Sequence, residues 1–263
     1  MAAERKITLD VVKGYLNCRY LAHLLFDGQE GVKSDYEIVL AEIEQTVRLR
    51  ILDRLHAHYS PQILKIGVVL DSSILSSGAP FVLDSELRGD GFSIRFDGLK
   101  RVNGSSNLGD FHYVPLMFCG TRQIRRPQRL LLEFTGLFLS RIQGVVPSTG
   151  IIYCGLECAA TTVRFTSGLR AAKELLDAVT EMQQNTVAPK FLLNPHCPAC
   201  EFRSRCHKQA VKQDSLSLLR GVKEKELKLI RIASFSPLRN DAWVRECHFF
   251  CHSAACAGLP QAR

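Results

Sequence analysis

Apolar residues recur at intervals of three and four near the start of the chain, which is the spacing of one face of a helix. The residues that carry this pattern are Leu9, Val12, Tyr15, Leu16, Leu21, Leu24 and Leu25. They predict an amphipathic helix from Thr8 to Phe26, with Thr8 as its N-cap and Gly28 just beyond its end. A second amphipathic helix is predicted from about Tyr36 to His58.

The pattern then changes to short segments rich in β-formers and separated by Gly, Ser and Asn. The segments "QILKIGVVL", "FVLDSELRGDG", "FSIRFDGLKRV" and "DFHYVPLMF" predict strands. Further helices are predicted from Pro127 to about Gln143 and from Leu169 to Gln184, and the strands "GIIYCGLE" and "TTVRFT" lie between them. This order of elements predicts a mixed α/β domain built on one sheet flanked by helices.

Composition places the chain among globular proteins. It has 263 residues, of which 46% are hydrophobic and 23% charged. No apolar run approaches the roughly 20 residues that a membrane span needs, and the start "MAAERKITLDVVKGYL" lacks the apolar core of a signal peptide. We therefore expect a cytoplasmic protein with no membrane partner. The 34 Lys and Arg residues exceed the 26 Asp and Glu residues, and the formal charge of +8 favours an anionic partner such as nucleic acid.

Three cysteines lie close together in "PHCPACEFRSRC", at Cys197, Cys200 and Cys206. In a reducing compartment, clustered cysteines are more often metal ligands than disulfide partners. Thiolates bind zinc and iron–sulfur clusters, and both usually take four protein ligands. The spacing therefore predicts a metal centre that needs one more ligand.

The fourth ligand can be local or distant. His196 and His207 flank the motif and would make a mixed zinc site, whereas Cys18, in "YLNCRYLAHLL", would come from the first helix. Taken alone, Cys18 is also well explained as a small buried apolar residue. Basic side chains beside the motif would offset the negative charge of the thiolates; they are Arg203, Arg205 and Lys208.

One cysteine early in the chain and a C-x2-C-x5-C group after the sheet resemble the iron–sulfur branch of the RecB-like PD-(D/E)XK nucleases, which includes AddB-type and CRISPR-associated exonucleases. The segments "YLNCRYLAHLL", "FDGLKRVNGSSNLGDFHYVPL", "LSRIQGVVPSTGIIYCG" and "SLSLLRGVKEKELKLI" resemble one subgroup, which in longer proteins is fused to an RNase H-like domain. The likeness covers about residues 8 to 235. It implies a restriction-endonuclease-like core, a nucleic-acid partner (DNA rather than RNA), and a [4Fe–4S] cluster on Cys18, Cys197, Cys200 and Cys206 that staples the two ends of the chain.

The resemblance also implies a catalytic aspartate. Asp97, in "IRFDGLKRV", matches the first acidic position of the family, which would bind Mg²⁺ or Mn²⁺; the structural alternative is a turn aspartate before Gly98. In "HYVPLMFCG", Val114, Met117 and Cys119 stand where the family has Glu, Asp and Lys. The Gly-x-x-His and Gln-x-x-x-Tyr patterns are absent from "IEQTVRLR" and "RLLLEFTGLFL".

We therefore expect a nuclease-like, nucleic-acid-binding fold with impaired or absent catalysis. An active Mg²⁺-dependent nuclease that uses Asp97 is the alternative, and a zinc-stapled interaction module is a second one. Other carboxylates would contribute only if the strands bring them beside Asp97; they are Asp84, Glu86, Asp90 and Asp110.

A basic segment, "TRQIRRPQR", surrounds the start of the third predicted long helix. Its candidate phosphate-binding residues are Arg122, Arg125, Arg126 and Arg129, and the alternative is a solvated charged surface. The aromatic residues Phe111 and Tyr113 would either stack on bases or belong to the core.

Three regions are expected along the chain. Residues 1–212 form the nuclease-fold domain, residues 213–238 a helical linker that includes "GVKEKELKLIRI", and residues 239–263 an irregular, disordered tail. The tail contains Cys247, His248, Cys251, His252 and Cys256, whose spacing fits no zinc module. Because the resemblance implies a second domain after the linker, we expect a truncated chain whose RNase H-like domain or partner chain is missing.

Overall fold

The computed structural model describes residues 4–60, 64–165 and 168–219. The chain divides into a compact unit that ends at Ser215 and a second unit that begins at Leu216. Of the second unit, the structure describes the 3-10 turn Leu216–Leu218 and the residue that follows it. The predicted helix "GVKEKELKLIRI" and the tail 239–263 with its cysteines and histidines lie outside the described residues.

The compact unit contains one open sheet of six strands, which are neighbours in the order in which they occur along the chain. The strands are β1 (Leu64–Ile66), β2 (Phe81–Gly89), β3 (Phe92–Ser106), β4 (Gly109–Cys119), β5 (Thr149–Cys154) and β6 (Ala159–Arg164). The pairs β1–β2 and β4–β5 are parallel, and the other three are antiparallel. The sheet is therefore mixed, and the predicted α/β class is confirmed.

Helices flank the sheet. They are α1 (Leu9–Asn17), α2 (Arg19–Phe26), α3 (Asp35–His58), α4 (Ser72–Ser76), α5 (Arg126–Gln143), α6 (Leu169–Gln184) and α7 (Arg203–Lys212). Side chains alternate along β2, so that Phe81 and Leu83 pack with α3 while Val82 packs with α5 and α6. Most of α5 is buried, because the helix lies between the sheet and α6. None of the described helices is long and apolar enough to cross a membrane.

The first predicted helix is divided in two, which corrects the sequence interpretation. Thr8 caps α1 as predicted, since its side chain accepts a hydrogen bond from the Val11 backbone N–H at 3.2 Å. Cys18, however, has extended backbone angles (φ −164°, ψ 118°), ends α1 and precedes α2. Gly14 allows the two helices to pack, because a Cβ there would lie 3.0 Å from a Leu25 methyl carbon. The break places Cys18 at a corner of the chain instead of within a helix.

Two further differences lie between α3 and β2. The predicted strand "QILKIGVVL" pairs as a strand over Leu64–Ile66, and Gly67, with φ +70°, follows directly. The short helix α4 was not predicted. Its N-cap is Asp71, whose carboxylate accepts a hydrogen bond from the Ile74 backbone N–H at 2.8 Å.

Candidate metal centre

The four cysteines singled out in the sequence line a single cavity of about 550 Å³. Cys18 comes from the corner between α1 and α2, and Cys206 from the first turns of α7. Cys197 begins a 3-10 turn (Cys197–Ala199), and Cys200 ends it. The fold therefore brings together residues from the two ends of the compact unit.

Asn194 fixes the loop that carries Cys197. Its backbone N–H lies 3.2 Å from the Cys197 sulfur, and its side-chain Nδ2 donates to the Asn17 carbonyl at 3.1 Å. Since Asn17 directly precedes Cys18, these bonds connect the loop to the corner that holds the distant cysteine. The Cys200 N–H donates to the Cys197 carbonyl at 3.2 Å, and this hydrogen bond closes the turn between the two cysteines.

A small apolar cluster holds α7 against α2. Phe202 and Cys206 pack on Leu24, and all three are buried. Beside them the Tyr20 hydroxyl donates to Gln209 Oε1 at 3.3 Å, and the Tyr20 ring meets Phe191 edge-on with 5.2 Å between centroids. Packing therefore fixes where Cys206 faces, independently of any bound ligand.

The sulfur atoms lie close enough to influence one another. Burial raises the pKa of Cys197 and Cys200, and in both cases a neighbouring thiol raises it further. The pKa of Cys206 is raised to about 11, first by burial and then by Cys200, Cys197 and Cys18. Deprotonation of buried neighbouring thiols requires a compensating positive charge, which a metal centre supplies.

The local histidines differ in position. His196 lines the cavity with the four cysteines, whereas His207 lies on the exposed side of α7. Within residues 4–60, 64–165 and 168–219, no three His, Cys, Asp or Glu side chains are arranged to hold a single metal ion.

Asp97 lies in β3 and is partly buried. Its Oδ2 accepts a hydrogen bond from the Phe118 backbone N–H at 2.8 Å. Burial raises its pKa, while this hydrogen bond and the positive charges of Lys13 and Arg48 act in the opposite direction. Asp97 is therefore a carboxyl group held between strands rather than a turn aspartate.

The three β4 positions at which the resemblance implies two acids and a lysine carry none of them. Val114 is buried and Met117 is partly buried in the core. Cys119 is buried, and its sulfur lies 2.7 Å from Gln128 Nε2 and 3.1 Å from the Thr121 hydroxyl. Cys119, hydrogen-bonded with Thr121 and Gln128, thus stands at the position where the resemblance implies a lysine.

Asp84 is the one additional carboxylate of the four that lies beside Asp97. The register on either side, Leu83 with Gly98 and Ser85 with Phe96, places Asp84 across from Asp97, where the strand pairing is interrupted. Asp84 has φ +51°, which is uncommon for a residue other than glycine, and it forms an ion pair with Arg48.

The remaining three carboxylates do not lie across from Asp97 in the sheet. Glu86 pairs with Arg88 at 2.7 Å and accepts a hydrogen bond from Ser93, while Asp90 and Asp110 are exposed.

Glu44 and Lys13 also belong to this region, and the sequence interpretation missed both. The pKa of Glu44 is raised by burial and by Asp97 and Asp10, and is lowered by Lys13. Asp10, Lys13 and Asn17 occupy positions i, i+3 and i+7 of α1, and all three line the cavity with Glu44. This polar stripe was the available signal in the sequence. The cavity therefore contains a mixed set of carboxylates and cations in addition to the thiols.

The four predicted arginines surround the start of α5, and all are exposed. Arg122 forms an ion pair with Glu157 at 3.5 Å. Burial raises the pKa of Glu133, and the positive charge of Arg129 acts in the opposite direction. The neighbouring aromatic residues are not free to stack. Tyr113 is fully buried and its hydroxyl donates to the Ala79 carbonyl at 2.8 Å, and the Phe111 ring is covered by Arg101 at 4.3 Å.

No family model and no curated protein matches this chain.

Proposed function

We propose that the chain is an iron–sulfur-cluster-binding domain of the PD-(D/E)XK nuclease type that binds nucleic acid without cleaving it. One observation supports this most strongly: Cys18 and the group Cys197, Cys200 and Cys206 line the same cavity although they are far apart in the sequence. A four-thiolate donor set is the one that [4Fe–4S] clusters use. When bound, the cluster would supply structural cross-linking between the two ends of the unit.

The residues present fit that role. Cys18 is at a corner, Cys197 and Cys200 lie on a tight turn, and Cys206 is on a packed helix, so all four thiols belong to defined elements that line the same cavity. Arg203 also lines the cavity and would offset part of the negative charge of the thiolates. Zinc accepts the same four thiolates, so the metal itself is decided by measurement.

Replacement of Cys18 by serine tests the distant ligand. In Cys18→Ser we expect the anaerobically purified protein to lose most of its iron, because a hard hydroxyl replaces one of four soft ligands. Iron content per chain is the measurement. Cys158→Ala is the matched control, since Cys158 is buried and does not line the cavity. Iron content that is equal in Cys18→Ser and Cys158→Ala would exclude Cys18 as a ligand and favour His196.

The absence of catalysis rests on ligand chemistry. Magnesium requires several hard oxygen ligands, and Val114 and Met117 have none to offer. Asp84, which lies across from Asp97, already binds Arg48. Strand β4 thereby gives Asp97 neither the acidic partners nor the lysine that phosphodiester hydrolysis in this fold would use.

An active nuclease is the second candidate function, and Glu44 and Lys13 favour it. They interact with Asp97 from α3 and α1, and could supply the second carboxylate and the lysine that β4 lacks. The test is cleavage of single- and double-stranded DNA with Mg²⁺ or Mn²⁺, by the wild-type protein and Asp97→Ala. For the proposed function we expect no cleavage by either protein. Metal-dependent cleavage that Asp97→Ala abolishes would establish the second candidate instead.

A further inference from the structure

Helix α7 carries basic residues on the side that faces away from the thiols. Its sequence, "RSRCHKQAVK", contains two arginines and two lysines and no acidic residue. Cys206 and Ala210 form its buried side. Arg205, Lys208 and Lys212 are exposed and lie at positions i, i+3 and i+7, so they form one stripe along the opposite side. We call these three residues the outer stripe.

The outer stripe is not accounted for by the metal centre. Arg203 is the cation of α7 that lines the cavity, and none of the three stripe residues does. Cys206 is on the buried side of the helix, and Arg205 is the stripe residue whose charge acts on it, lowering the pKa of the thiol. Offsetting the charge of a cluster therefore explains Arg203 and part of the role of Arg205, but not Lys208 and Lys212.

The stripe charges are also not used in ion pairs within the part of the chain that the structure describes. Arg205 donates to the side-chain oxygen of Gln29, which is uncharged, and Lys208 and Lys212 form no salt bridge there. By comparison, Arg122 near α5 is paired with Glu157. Three exposed cations on a rigid helix, in a chain of formal charge +8, are electrostatically complementary to a polyanion.

The length of the stripe can be compared with the charge spacing of a duplex. At 1.5 Å rise per residue, the seven-residue separation of Arg205 and Lys212 is about 10 Å, and each strand carries one phosphate per roughly 3.4 Å of helix axis, so about three phosphates of a strand lie within that length of the axis. Single-strand binders add aromatic platforms for stacking, and α7 presents no exposed Phe, Tyr or Trp, since Phe202 beside it is buried.

We propose that the outer stripe of α7 binds the phosphate backbone of double-stranded DNA. This inference rests on the proposed nucleic-acid-binding function and gives it a surface, one that differs from the arginines around α5. Because phosphate contacts carry no sequence information, the binding is independent of sequence. Cys206 is on the same helix, so the metal centre and the DNA surface share one rigid element.

The test is the affinity of the full-length, anaerobically purified protein for a labelled 20-base-pair duplex, measured by fluorescence anisotropy over a series of salt concentrations. The stripe variant is Arg205→Ala with Lys208→Ala and Lys212→Ala. The control is Arg95→Ala with Arg164→Ala and Lys173→Ala, which removes the same charge from other exposed positions. Iron content and melting temperature are measured for each protein, and the single variant Lys208→Gln is used if the triple variant is unstable.

If the stripe binds DNA, the slope of log K against log salt falls in magnitude by about 0.9 for each phosphate that is no longer neutralised. The fall is about 2.7 for the three phosphates of the stripe variant, and about 0.9 in Lys208→Gln. The control keeps the wild-type slope. Equal binding by the stripe variant and the control would overturn the inference while leaving nucleic-acid binding in place. Binding of single-stranded but not duplex DNA would also overturn it. An iron-containing wild-type protein that binds no nucleic acid would contradict the proposed function itself.

Discussion

Asp97 lies in a site that disfavours the charged form of its carboxyl group. Burial raises the pKa of Asp97 from the ordinary value of 3.8. The hydrogen bond from Phe118 and the charges of Lys13 and Arg48 offset only part of this increase. A raised pKa in the folded state means that the unfolded state binds fewer protons above pH 3.8. The ionised carboxyl therefore lowers the free energy of unfolding, and the effect grows as pH rises from 3.8 to the folded-state pKa.

Asp97→Asn should consequently stabilise the protein at neutral pH, because asparagine keeps an acceptor for the Phe118 N–H and carries no charge. The measurement is urea unfolding between pH 4 and 8, compared with Asp90→Asn at an exposed turn. We expect the gain in Asp97→Asn to increase with pH and then level off. A loss of stability at pH 7 would mean that the ionised Asp97 is held by its neighbours more strongly than burial disfavours it.

The cysteines of the candidate site could be predicted from the sequence, but the neighbours that surround the candidate carboxylates could not. The spacing of Cys197, Cys200 and Cys206 predicted a shared site, and the structure places them on one cavity with Cys18. The ion pair of Asp84 with Arg48 and the proximity of Glu44 to Asp97 join residues on different elements. No local pattern encodes such long-range pairs, so the sequence interpretation could not include them.

Among the elements, α7 depends on very few buried side chains. Phe202 precedes the helix and is 4% exposed, and with Cys206 it packs on Leu24 of α2. Most other residues of α7 face solvent. The position of Cys206, and of the outer stripe, therefore depends mainly on this small apolar cluster.

Phe202→Ala should cost roughly 3–5 kcal/mol in the free energy of unfolding, because it removes an aromatic ring from a buried contact. The measurement is urea unfolding of the iron-free protein, so that loss of a cluster does not contribute. Phe202→Leu is the matched variant and should cost less than about 1.5 kcal/mol, since it retains most of the apolar volume. Equal and small effects of the two substitutions would show that α7 does not pack on α2 as the structure has it.

The long helices followed from periodicity, whereas the break at Cys18, the short extent of β1 and the helix α4 did not. The predicted helices starting near Tyr36, Pro127 and Leu169 are α3, α5 and α6. The break at Cys18 was missed because the apolar pattern continues through it, and the break arises from extended backbone angles and from close packing at Gly14. It is this break that turns Cys18 toward the cavity.

For the whole molecule, the central feature is that the cavity joins the first helices to the last one of the compact unit. Cys18 and Asn17 meet the loop at Asn194 and Cys197, and α2 meets α7 through Phe202. The order of the predicted helices and strands was enough to predict a mixed α/β domain built on one sheet. The association of the two ends was implied by the resemblance to a nuclease family and not by any local pattern, because it depends on the folded path of the entire unit.

The measurement that tests this account most directly is the visible spectrum of anaerobically purified protein, with iron, sulfide and zinc quantified on the same sample. We predict a brown protein with about four irons and about four sulfides per chain, as a four-thiolate [4Fe–4S] site requires. A colourless protein that holds about one zinc per chain would contradict the cluster and support the zinc-stapled interaction module instead.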